Sequence, residues 1–166
     1  MVASPQVPAA MAVLLELLDR HWRQWTAELP AHLDVAIHPD APVRERAQAF
    51  AAALTRSLAP HQVLCDLLSA QAGVLEHNVS AEVAARYKRS ALANVATLAT
   101  LTRHHLPELG DRADGLCAQA VMVTGAVWTH ARPSTSMLAA SRMDFSAALE
   151  EMLATLIAGA LSRAEG

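Results

Sequence analysis

The spacing of apolar residues between Pro60 and Leu106 constrains this chain more than any other feature. Val63, Leu64, Leu67, Leu68, Val74 and Leu75 fall on one side of a helix, and after Asn78-Val79-Ser80 so do Ala84, Tyr87, Ala91, Val95, Leu98 and Leu101. The spacing predicts two amphipathic helices, the second capped by the Ser80 hydroxyl. Both stripes carry polar groups: Gln71 on the first, Asn94 and His105 on the second. His21 and Gln119 sit on comparable stripes of other helices. A buried polar group without a partner costs about 1–3 kcal/mol. For any one of them a bond to a neighbour suffices, but as a set they read as the wall of a mostly apolar cavity.

The same periodicity runs through most of the chain. Residues 1–8 are expected to be a fraying tail, and 9–166 a single domain. From Ala9 to Leu29 an apolar face of Leu14, Leu17, Leu18, Trp22, Trp25 and Leu29 predicts a helix that Pro30 ends, because proline lacks a donor and clashes with the preceding turn. Ala31–Pro39 then reads as a loop. Asp40 is the expected N-cap of a helix burying Val43, Ala47, Phe50, Ala51, Leu54 and Leu58, with Arg44, Glu45, Arg46 and Gln48 facing water. Pro107-Glu108-Leu109-Gly110 turns the chain, and Asp111 or Asp114 caps the next helix, Arg112 to Ala131. That helix is apolar nearly all round, which calls for cover on every side, part of it from a second copy. Met137–Met143 reads as a linker or extra turn, and Asp144–Arg163 as the last helix. Six helices without a strand signal make an all-α domain.

Composition narrows the function classes. The chain is 53% hydrophobic but 4% aromatic, an Ala- and Leu-rich mixture that suits a helical bundle, and its net charge of −3 gives no basic face for nucleic acid. No run of about 18 uninterrupted apolar residues occurs, so no membrane span is expected. The N-terminus lacks the basic start of a signal peptide, which leaves the Asn78-Val79-Ser80 sequon without meaning. Cys65 and Cys117 fall inside predicted buried helices, at no zinc spacing, and fit a reduced, cytoplasmic setting. Eight histidines raise the question of a metal or hydrolytic site, but no ligand motif is present, and adjacent His104 and His105 diverge on a helix. Arg86, Lys88 and Arg89 read as a solvated face, as do Asp66 and Glu76. No cofactor, no metal and no catalytic residue is expected.

Leu64-Cys65-Asp66-Leu67-Leu68, Val74-Leu75-Glu76-His77-Asn78-Val79-Ser80 and Tyr87-Lys88-Arg89, running into a long helix, resemble one subset of TetR-family transcriptional repressors. The apolar helix ending near Trp128 and the helix Asp144–Arg163 resemble that family's dimerisation helices. The resemblance implies a six-helix ligand-binding and dimerisation region, with the last two helices forming a dimeric four-helix bundle. Family members carry a DNA-binding head ahead of this region, and Ser4-Pro5-Gln6-Val7-Pro8-Ala9 occupies the place of its link. The expectation is therefore the sensor half alone, a homodimer that binds a small, largely apolar ligand and no DNA by itself. The rival reading is a head-less interaction protein that pairs with full-length relatives; an enzyme using histidines lacks any motif.

The apolar faces bearing Phe50, Leu54, Leu64, Leu68, Leu98 and Leu101 are expected to converge on the ligand. Trp25, Tyr87 and Trp128 are the expected aromatic walls, and Gln71, Asn94 and Gln119 the polar contacts. Cys117, Val121 and Val127 on one helix, with Phe145, Leu149, Met152, Leu153, Leu156 and Ala160 on the next, are the expected dimer interface.

Overall fold

The computed structural model describes residues 6–75, 80–132 and 143–164. They form α1 (Gln6–Ala36), α2 (Val43–Leu58), α3 (Gln62–Leu75), α4 (Ala81–His105), a single 3-10 turn (Pro107–Leu109), α5 (Arg112–Ala131) and α6 (Phe145–Ser162), with no strand among the described residues. The segments 76–79 and 133–142 lie outside the description, so the break at Asn78-Val79 and most of the linker expected at Met137–Met143 do too.

Two expectations about α1 are overturned. It begins at Gln6, so the tail does not extend to Pro8, which sits in a first turn where a missing N–H costs nothing. It also runs through Pro30 to Ala36. The helix-interior proline costs about 3 kcal/mol. Leu33, one turn on, is completely buried and Ile37 nearly so, and each such burial returns about 1.5–3 kcal/mol. Continuing the apolar face outweighs the broken backbone bond.

Capping follows the sequence in part. Ser80 Oγ accepts from Val83 N at 3.4 Å, as expected; Asp144, expected as the first residue of the last helix, is instead its cap, Oδ1 accepting from Ala147 N at 2.7 Å. Asp40 does not cap α2: Pro42 holds that position, and the turn before it closes through Ala41 N to His38 O at 3.1 Å. Asp111 stands at the cap of α5 without a side-chain bond. The corner ahead of it needs Gly110, whose φ of 49° is left-handed.

Arg46, expected in water, is buried. Its Nε donates to Ala41 O at 2.9 Å, Nη1 to His105 O at 2.7 Å, and its guanidinium pairs with Glu108. A helix end leaves carbonyls without donors, and Arg46 supplies one to α4. That pairing holds the Glu108 carboxyl below its ordinary value.

The closed part of the core lies where α2 packs against α6 and α1. Phe50, Leu54 and Leu58 from α2 and Leu149, Leu153 and Ile157 from α6 are all buried. By length and composition α6 is apolar enough to cross a membrane, with mean hydropathy 1.3. Its Leu149, Leu153, Ile157 and Ala160 are buried in the domain, and Glu150 and Glu151 are exposed.

Candidate ligand pocket

A cavity of about 390 Å³ opens between α1, α3, α4 and α5. Leu15, Leu18 and Trp22 of α1, Leu68 of α3, Ala91 and Val95 of α4 and Val121 of α5 make its apolar wall. Polar groups enter at chosen points: Glu16 and Asp19 from α1, Gln71 from α3, and Arg86, Tyr87, Ser90 and Asn94 from α4. The Tyr87 hydroxyl donates to Gln71 Oε1 at 2.5 Å. Burial pushes the Tyr87 phenol up, so it stays a neutral donor, and the bond leaves the Gln71 amide N–H groups for another acceptor. Asp19 accepts from Ser90 Oγ at 3.3 Å and pairs with Arg23 at 2.6 Å. Asn94 has no hydrogen-bond partner among the described residues, and neither has the buried Trp22 Nε1.

Of the residues expected at a ligand, Leu68, Gln71, Tyr87 and Asn94 come together at this cavity. Phe50, Leu54, Leu64 and Leu98 are buried core, and Leu101 packs half-buried against that core. Trp25 is turned away, its Nε1 donating to Ser57 Oγ at 2.9 Å. Trp128 Nε1 donates to Asp66 Oδ1 at 2.7 Å, its ring stands edge-on to Phe145 at 4.9 Å, and Arg132 lies 4.8 Å above it. Asp66, expected to be merely solvated, thus fixes α5 to α3. Gln119 is exposed on α5, not on a buried stripe.

Besides Tyr87, the wall takes a second aromatic, Trp22, set T-shaped against Trp25 at 5.2 Å. The sequence held a signal for this side of the pocket. Ala12, Leu15, Asp19 and Trp22 recur at helical spacing, with a carboxylate inside an otherwise apolar run. Gly125 sets how closely α5 meets α3: a Cβ there would stand 2.9 Å from Leu68 O. Leu68 and Val121 line the cavity beside this crossing.

The expected dimer residues divide in two. Cys117, Val127, Leu149, Leu153 and Ala160 are already buried inside one copy, and Val121 faces the cavity. Neighbouring helices α3, α4 and α6 therefore cover most of α5, less of it being left for a partner than its composition suggested. Met122 of α5 and Met152 of α6 remain 63% and 44% exposed, and Phe145 and Leu156 are half-buried. Burial pushes the Cys65 thiol up to about 12 and the Cys117 thiol up to about 11, which makes both small apolar core groups. Cys117 Sγ contacts Thr102 Oγ1 at 3.3 Å.

No curated protein matches the chain. The family model for the tetracyclin repressor-like C-terminal domain matches residues 19–164, a span that takes in all of α2 to α6 and most of α1. The all-helical order of six helices agrees with that match. The chain belongs to the family of TetR-like C-terminal domains, the regulatory region of TetR-type transcriptional regulators.

Proposed function

We propose that this domain senses a small, largely apolar molecule with a few hydrogen-bonding groups, and that it does so as a homodimer. The observation that carries the reading is the cavity of about 390 Å³ with Gln71, Tyr87 and Asn94 in its mostly apolar wall. That volume is typical of small-molecule sites, which are mostly apolar with a few placed polar groups. Gln71 is oriented by Tyr87, so its amide N–H groups meet a ligand acceptor, while Asn94 offers both donor and acceptor. Glu16, Asp19 and Arg86 put charge at the edge of the site, where a ligand's polar end stays hydrated.

The exposed Met122 and Met152, on helices that pack together, support pairing of two copies through α5 and α6. No part of the reading asks this domain to hold DNA, and its net charge of −3 opposes phosphate contact. A thermal-shift screen with apolar and aromatic small molecules tests the sensing role. Gln71→Leu or Asn94→Leu should each weaken a bound compound by about 1–3 kcal/mol with little loss of fold. Hits that bind both variants as tightly as the parent would place the ligand elsewhere.

A further inference from the structure

We propose that Asp34, His104 and His105 form a site for a divalent transition-metal ion of the zinc, nickel or copper class. The site ties the C-terminal end of α1 to that of α4. One ligand atom from each of the three side chains lies within 4.8 Å of the other two. The imidazoles of His104 and His105 do not diverge, as adjacency on a helix suggested, but stand edge to face with centroids 4.9 Å apart. Asp34 reaches them only because α1 continues past Pro30.

The gap between His105 Nε2 and Asp34 Oδ1 is 3.5 Å. That is long for a hydrogen bond, whose usual length is about 2.9 Å. Two ligands holding a tetrahedral ion at about 2.0–2.1 Å stand roughly 3.4 Å apart, so this pair already has the spacing of one edge of such a site. Two imidazole nitrogens and one carboxylate select borderline transition ions over magnesium or calcium, which take oxygen ligands. Three protein ligands leave room for solvent on the ion.

Local electrostatics favour a cation. The last turn of α1 and the last turn of α4 both bring carbonyl ends here, the negative pole of a helix. The neighbouring guanidiniums are occupied: Arg103 pairs with Asp114 at 2.7 Å, and Arg46 with Glu108. Arg46 also holds the His105 carbonyl, which fixes the backbone that carries the ligand.

α1 and α4 touch at Asp19–Ser90 beside the pocket and again at Asp34–His105. The two intervals are equal in sequence, so the helices run parallel over about 22 Å at 1.5 Å per residue. An ion at the far contact fixes the pair of helices that forms two walls of the cavity. The site stands whether or not the cavity binds an organic ligand.

The test is calorimetric titration of zinc into the metal-free chain, with cobalt absorption as a check on coordination. The expected result is one ion per chain, weakened about tenfold or more by His104→Ala and by Asp34→Asn, the loss that even an outer-shell partner of a ligand causes. Both side chains are exposed, so circular dichroism should show the fold unchanged in each variant. His32→Ala combined with His38→Ala should leave the affinity as it is. Absence of saturable binding at micromolar ion, or equal affinity in His104→Ala, Asp34→Asn and the parent, would overturn the site.

Discussion

The α2–α6 contact and the cavity between α1, α3, α4 and α5 are built from the same kind of sequence, yet one is closed and the other open. Phe50, Leu54 and Leu58 meet Leu149, Leu153 and Ile157 with every side chain buried. Around the cavity, Leu15, Tyr87, Ala91 and Val95 remain half-buried, and two carboxylates and two amides interrupt the apolar surface. Amphipathic periodicity states that a face is covered; whether that face meets another helix or a hollow depends on side-chain volume and helix spacing. At the α3–α5 crossing that spacing is set by one missing methyl group, at Gly125.

Among truncations, the largest effect should come in the closed region. Leu153→Ala should cost about 2–5 kcal/mol in chemical denaturation, because it opens a void among side chains that cannot collapse. Leu15→Ala already faces a hollow, creates no new one, and should cost about 1 kcal/mol or less. Equal losses would erase the distinction between the two regions. Gly125→Ala comes next: the added methyl must push α5 from α3, with an expected loss of about 1–3 kcal/mol. A neutral Gly125→Ala would show that the crossing does not set the cavity width.

Surface changes should sort differently. Met152→Glu and Met122→Glu should alter folding by no more than about 0.5 kcal/mol, since both side chains are exposed, while weakening self-association in sedimentation velocity. An unaltered sedimentation profile would remove α5 and α6 from the pairing surface. Leu149→Asp, by contrast, should unfold the domain, since it buries an unpaired charge within one copy.

The smallest effect concerns Glu108, whose carboxyl Arg46 holds below its ordinary value of 4.5. A carboxylate depressed in the folded state contributes stability that is present above its unfolded pKa and lost as pH falls through the folded one. The stability gap between the parent and Glu108→Gln should therefore shrink as pH drops below about 4.5. A gap that stays constant or widens on acidification would mean that the ion pair does not hold this corner.

Much of the fold was legible because helices advertise themselves through spacing. The limits of α5 and the cap Ser80 follow directly from residue types. The run of α1 through Pro30 was hidden, since a local rule about proline was outweighed by burial of Leu33 in tertiary packing. Half of the pocket was hidden for a similar reason. Gln71, Tyr87 and Asn94 stand out as polar residues on apolar stripes. Trp22 and Trp25 look alike in sequence, and only the bond from Trp25 to Ser57 decides which of them reaches the cavity. Asp66 and Arg46 look solvated in sequence because nothing local announces a partner as distant as Trp128 or Glu108.

Filling the cavity tests the sensing role most directly. Ala91→Leu places added carbons in the hollow between α1 and α4 without replacing any polar group of the site. Compounds that raise the melting temperature of the parent are predicted to give no shift with Ala91→Leu, while the unliganded variant keeps its fold. If those compounds stabilise Ala91→Leu as much as they stabilise the parent, the cavity is not where this domain binds its ligand.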